Sequence, residues 1–387
     1  MNRVNNLNLC SFDAVIAGAG LSGITAARVL AEAGHKVVVV EKREEVGGNT
    51  YDYVDGNGIT VQKYGPHIFH TSDKEVFDFL SRFTEWTAYE HRVLGNINGK
   101  LVPVPFNLTS LFELYGKEEG GKIKDILIEE IGLGKKVPIL TLKGHADKAV
   151  RDFADFVYRN VFYIYTMKQW GFKPEELGEA VMNRVPVYIS YEDRYFTDTY
   201  QYMPADGFTE MSKNILDHEN ITLITGVDIL EHIEIAGGKI FADGKEFCGK
   251  LIYTGRTEQL FGYKFGKLSY RSLDFVFETL DTPSYQPAAV VNYNTSEKFT
   301  RISEFTKFAC GKKDKTVIVK EYSKDFKEGD IPYYPIPKRE NYEEYLKYAE
   351  EAAKVPNLIL LGRLAAYKYI NMDVAVKNAI CAANNIK

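Results

Sequence analysis

The feature that most constrains this chain lies near its start: Gly18-Ala19-Gly20-Leu21-Ser22-Gly23, a GxGxxG string. By itself the string is weak, and its setting gives it force. Residues 13–17 (DAVIA) read as a buried strand, 24–32 as an Ala-rich helix stopped by Gly34, and 36–41 (KVVVVE) as a second buried strand. Together they make a βαβ unit with a parallel sheet. In such a unit Gly18 permits the tight turn, Gly20 lets backbone approach a pyrophosphate, and Gly23 lets helix and strand pack closely. Ser22 shares the turn, and the helix N-terminus favours negative charge. Glu41 ends the second strand about 20 residues on, where a carboxylate can accept hydrogen bonds from a ribose diol. The unit therefore reads as a dinucleotide site rather than a structural glycine turn.

Three features favour FAD over NAD. The acidic strand is followed at once by Lys42 and a second Gly-rich turn, Gly47-Gly48-Asn49. Near the other end, Leu361-Gly362-Arg363 follows an apolar strand and precedes a helix-like segment, giving a second approach to a long cofactor, as in the glutathione-reductase-like FAD fold. No second GxGxxG occurs.

Composition closes off other classes. The chain has 387 residues, which is long enough for two or three substructures. Its net charge of −5 argues against a broad nucleic-acid surface. Cys10, Cys248, Cys310 and Cys381 show no CxxC spacing, so neither a disulfide framework nor a zinc site is expected and a reducing, cytoplasmic setting fits. Asp, Glu and His do not cluster, and no metal is expected. No apolar run approaches a membrane span, and residues 1–12 do not read as a signal peptide. The 26 Tyr suit a polar, ring-shaped ligand, although any single Tyr is more often core.

Along the chain, residues 73–83, 108–115 and 147–165 have helical periodicity, the last with Val150, Phe153, Val157 and Val161 on one stripe. Residues 187–191, 273–280, 288–293, 299–305 and 316–322 are β-rich, with further short strands at 221–225, 250–254 and 358–361 and a closing helix from Val374. The fold expected is α/β: a discontinuous FAD-binding Rossmann-like domain (10–75, 205–262, 355–387), a helical insertion with a mobile lid loop (76–180), and an antiparallel sheet on the substrate side (183–204, 263–345).

Seven strings then carry a resemblance. They are KYGPHIFH at 63–70, YTMKQWG at 165–171, NRVPV at 183–187, YRSLDF at 270–275, TRISE at 300–304, KEYS at 320–323 and GRLAAYKYINMD at 362–373. In that order they resemble the bacterial UDP-galactopyranose mutases over nearly the whole chain after residue 12. The resemblance implies interconversion of UDP-galactopyranose and UDP-galactofuranose, for cell-surface polysaccharide biosynthesis. The reaction runs on reduced FAD through a flavin N5–sugar adduct, with no net redox change. The protein's share is then position and charge.

It also implies residue roles. Arg184 and Arg301 match the two arginines that hold the diphosphate, a task suited to a planar guanidinium. Tyr322 and Tyr369 match tyrosines that bond the diphosphate, and Tyr195 goes with them. Tyr165 matches the uracil-stacking tyrosine, Trp170 the tryptophan beside the sugar, and Asn292 an amide on the uridine. His67 resembles the residue packed near the flavin, and Arg363, Met372 and Asp373 fall on the cofactor side. A homodimer is what the family implies. Val161, His91 and Asn371 depart from the pattern, where a second uracil-facing aromatic, an Asn and an Asp are common. The same chemistry on UDP-N-acetylgalactosamine or dTDP-fucose, an FAD-dependent oxidase or desaturase, and a non-catalytic flavoprotein remain as alternatives.

Overall fold

A computed structural model describes residues 8–177, 186–308 and 313–386. Five parallel strands form its first sheet, in the order Ile221–Ile224, Val37–Val40, Ala14–Ala17, Lys250–Tyr253 and Leu358–Leu360. Alternate side chains serve two cores. Ala14, Ile16, Val37 and Val39 pack under helices Leu21–Glu32 and Met372–Asn384. Val15, Ala17, Val38 and Val40 meet Ile240, Ala242 and Phe247 of a small three-stranded meander on the other face. Burial on both faces is why these strands read as unbroken β-branched runs.

A second sheet has seven strands, ordered Tyr334–Pro335, Tyr270–Leu280, Thr316–Asp325, Arg301–Glu304, Val290–Tyr293, Val93–Ile97 and Lys100–Val104. It is antiparallel except where Val290–Tyr293 meets Val93–Ile97. Those last two strands lie inside the stretch expected to be helical. Their signal was present: Asn98-Gly99, both with positive φ, make the hairpin turn between them.

The helical unit has its own core. Leu108–Glu130 runs well past the expected end at 115, with a left-handed kink at Gly116. The 147–165 helix also extends, as Lys148–Val157, a π-helical segment Tyr158–Tyr163 and Ile164–Trp170. Val187–Tyr188 does not join the large sheet. It pairs with Lys136–Val137, because Val187 and Ile189 bury themselves in the helical core. Tyr200–Pro204 pairs with Phe69–Thr71 and Trp86–Ala88 in a third sheet. Among the described residues no helix is long and apolar enough to cross a membrane, and no His, Cys, Asp and Glu cluster could hold a metal.

Candidate active site

The carboxyl edge of the parallel sheet opens into a cleft of about 680 Å³. Gly18 stands at φ +108, and a Cβ there would meet Thr254 Oγ1 at 2.2 Å. A Cβ on Gly23 would lie 2.0 Å from the Gly18 carbonyl oxygen, so the turn closes only without side chains. Gly20 is the N-cap of Leu21–Glu32, and no side chain caps that helix. Its first-turn N–H groups thus remain for an anion. Gly48, also at positive φ, stands against Gly20 across the cleft floor.

Ser22, Glu41, Lys42, Asn49, His67, Arg363 and Met372 line the cleft with these glycines. Glu41 accepts from Ala19 N at 2.6 Å and Arg43 N at 2.8 Å, which fixes its carboxylate at the mouth of the glycine turn. Lys42 is mostly exposed and pairs with Asp228. Asp373 does not line the cleft; it accepts from Thr71 Oγ1 and from Val374 N at the start of the last helix. Arg43 was not anticipated. It donates to Gly48 O and Asn49 Oδ1 and lies 4.1 Å over the Tyr64 ring, holding the second glycine turn.

At the other end of the cleft, side chains from five segments converge. His67 donates from Nδ1 to Gly65 O at 2.9 Å. Burial pushes its pKa down to about 4, and Arg363 and Arg301 add to the effect. The ring is therefore neutral near pH 7, with Nε2 as an acceptor. Arg363 is fixed by Ile370 O and Tyr333 O, and its guanidinium lies over the rings of Tyr369 (4.9 Å) and Tyr334 (5.4 Å). Those two tyrosines stack at 5.3 Å, and Trp170 sits edge-on to Tyr369.

Arg301 projects from its strand and donates Nε and Nη2 to one oxygen of Glu321 at 2.9 and 2.8 Å. Burial opposes its charge, but Glu321, Tyr165 and Tyr334 together more than offset it and hold the guanidinium's pKa above its ordinary value. The other Glu321 oxygen is buried and has no hydrogen-bond partner among the described residues. Tyr165 lies within electrostatic reach of Arg301, Glu321, Tyr195 and Tyr369, and burial raises its phenol pKa well above the ordinary value. One turn on, Lys168 donates to Tyr293 O, clamping the helix of Tyr165 to the strand of Asn292. Asn292 Oδ1 is buried without a partner among the described residues.

One of the expected tyrosines falls elsewhere. Tyr322 follows Glu321 on the same strand and so points to the opposite face, against Phe299. Tyr334, for which the sequence gives no expectation, stands instead beside Tyr369 and Arg363, in the edge strand Tyr334–Pro335. Trp170 is buried against Leu177, Phe172 and Tyr334. Arg271 and Ser323 both donate to the carbonyl of Gln169, so the helix end at Trp170 is pinned to the sheet. Arg184 lies outside the described residues.

A glycine-walled Rossmann cleft opening onto a fixed guanidinium and a ring of tyrosines defines an FAD-binding α/β enzyme. The solved structures agree on the fold. A reduced UDP-galactopyranose mutase superposes with a TM-score of 0.74 at 18% identity, covering 97% of this chain and 93% of the other. A putrescine oxidase reaches 0.58 at 14%, covering 97% and 98%. Residues 160–369 match the UDP-galactopyranose mutase family, and residues 16–83 the NAD(P)-binding Rossmann-like domain. A probable UDP-galactopyranose mutase of Klebsiella pneumoniae is 34% identical over 98% of this chain and 95% of its own. The UDP-galactopyranose mutase of Mycoplasma pneumoniae is 31% identical over 99% and 98%, and the dTDP-fucopyranose mutase of Escherichia coli 33% over 96% and 98%. The chain belongs to the UDP-galactopyranose mutase family, whose members use FAD.

Proposed function

We propose that this protein interconverts UDP-galactopyranose and UDP-galactofuranose without net redox change, as a cytoplasmic enzyme and a homodimer. The observation that carries the reading is Arg301. It is a protonated guanidinium beside Tyr165, Tyr334 and Tyr369, at the end of the FAD cleft marked by His67 and Arg363. A nucleoside diphosphate leaving group needs such a fixed cation. Reduced FAD supplies the nucleophile at the anomeric carbon.

The chain's residues then divide the work. Arg301 holds the diphosphate, with Tyr334, Tyr369 and Tyr195 donating phenol hydrogens. Glu321 fixes the angle of the Arg301 fork by holding two of its donors, leaving Nη1 to turn toward phosphate. Arg184, outside the described residues, is assigned to the same diphosphate. Tyr165 stacks on uracil, and the partnerless Asn292 Oδ1 complements the N–H of that ring. Trp170 packs beside the sugar. His67, neutral and anchored through Nδ1, orients the reduced cofactor with its free Nε2.

The similarity to a dTDP-fucopyranose mutase favours one second reading, the same ring contraction on dTDP-fucose. The test is incubation of dithionite-reduced and oxidised protein with UDP-galactopyranose, UDP-N-acetylgalactosamine and dTDP-fucopyranose, followed by chromatography. UDP-galactofuranose is expected from the reduced protein alone. Faster turnover of dTDP-fucopyranose would move the assignment to that substrate, and equal turnover by oxidised protein would overturn the mechanism.

A further inference from the structure

The cofactor cleft has a second wall. Glu328, Gly329, Asp330, Ile331, Pro332 and Tyr333 line the side facing the glycine turn. They belong to a connection that leaves strand Thr316–Asp325 and re-enters the sheet at Tyr334–Pro335, crossing over Tyr270–Leu280. A cofactor in the cleft is enclosed between this strap and the parallel sheet.

The strap is tied to its own sheet side along its length, with Lys324 Nζ on Asp330 Oδ1 at 2.9 Å and Lys267 Nζ 3.5 Å from Glu328 Oε2, and it makes an ion pair across to the cofactor domain. Toward Tyr334 it is fastened to its own sheet: Ser272 Oγ donates to Ile331 O at 2.8 Å and Tyr333 N to Arg271 O at 2.9 Å. At the other end it reaches across to the cofactor domain. Arg256 Nη2 donates to Glu328 Oε1 at 2.5 Å. Arg256 follows the Thr254-Gly255 turn, and Thr254 Oγ1 in turn holds Ala17 O beside the glycine fingerprint.

Arg256 is only 5% exposed. Phe326 packs on its guanidinium at 4.8 Å, and Glu258 Oε1, fully buried, lies 3.6 Å from Nη1. Glu258 is itself held by the Tyr270 hydroxyl at 2.9 Å. The arginine is thus a rigid socket with a buried carboxyl group beneath it. Glu328, with about half its side chain exposed, is the movable half of the pair. None of these residues is needed for the diphosphate.

We propose that Arg256 and Glu328 form a latch that closes the strap 326–333 over the FAD cleft and sets how fast the cofactor escapes. Opening the latch costs a charge-assisted hydrogen bond, while Arg256 keeps Glu258 beneath it, so the rest of the fold stays intact. Solvent reaches Glu328, so the pair is partly screened and weakens with salt.

The experiment is FAD release from the oxidised holoenzyme after dilution, read from the rise in free-flavin fluorescence, at a low and a high salt concentration. Glu328→Gln is expected to release FAD about three- to tenfold faster at low salt. Release from the parent is expected to quicken with salt, while the variant responds little. Arg256→Lys should release at an intermediate rate, since the ammonium keeps charge but loses the fork. Hydrogen exchange at the amides of Gly329 and Ile331 should rise in Glu328→Gln without a change at Gly18 to Gly23. Release within twofold of the parent in Glu328→Gln, or salt-independent release from the parent, would overturn the latch.

Discussion

In the cofactor cleft the contacts come from backbone. Gly18, Gly20, Gly23 and Gly48 shape it by lacking side chains, and a single helix start supplies the N–H groups. In the neighbouring pocket the contacts come from side chains. Tyr165, Tyr195, Arg301, Tyr334 and Tyr369 arrive from five places in the chain, and a buried carboxylate, Glu321, positions the cation among them. The first site is short-range in sequence and leaves no room for an added Cβ at Gly18, Gly23 or Gly48. The second is long-range and depends on functional groups, which can be trimmed one at a time without filling or emptying the cleft.

The sharpest way to break this comparison is Gly23→Ala. Its Cβ would fall 2.0 Å from Gly18 O, so the turn must open. FAD affinity of the purified protein is expected to fall about five- to 150-fold, since overpacking costs about 1–3 kcal/mol and about 1.4 kcal/mol is tenfold. A variant that binds FAD as tightly as the parent would show that the turn has room the geometry denies it.

The pocket should respond by degrees. Arg301→Ala is expected to weaken UDP binding about ten- to a hundredfold by calorimetry, with Glu321→Gln on the same background separating the lost contact from the stranded carboxylate. Tyr334→Phe is expected to cost about three- to tenfold in turnover, while Tyr322→Phe stays within about twofold. The reverse order would return Tyr322 to the site and remove Tyr334.

The last expected effect is on stability rather than binding and comes from His91. His91 is buried against Tyr89, Phe196 and Phe308, and burial, then Arg301 and His70, push its pKa down to about 3. The unfolded chain therefore binds the proton first as pH falls. Stability is full above about 6.5, the ordinary histidine value, and is lost progressively as pH falls toward 3. The loss from His91 is on the order of 2 kcal/mol at pH 5. His91→Asn should flatten the fall in thermal midpoint between pH 6.5 and 4; an unchanged slope would mean that His91 is protonated in the folded protein.

The same division explains what could be read early. The parallel strands, the glycine turn and the closing helix were legible because their signals are local: β-branched runs, a tight glycine spacing, and a 3.6-residue stripe. The strands Val93–Ile97 and Lys100–Val104 were legible too, through Asn98-Gly99, but the surrounding helical periodicity masked them. Tyr334 was not legible. It stands in a two-residue strand, and nothing near it distinguishes it from Tyr333 or Tyr322.

What the sequence by itself determined is therefore the FAD-binding βαβ unit, since Gly18, Gly23 and Glu41 act over distances of a few residues and each has a steric or electrostatic reason to be what it is. What only the tertiary structure decided is which side chains share the pocket. The π-helical segment Tyr158–Tyr163 resets the helical register before Tyr165, and strand alternation sends Glu321 inward and Tyr322 outward. Both depend on where one element is pinned against another, here by Lys168 on Tyr293 and Arg271 on Gln169, and such long-range contacts leave no periodic mark in the chain.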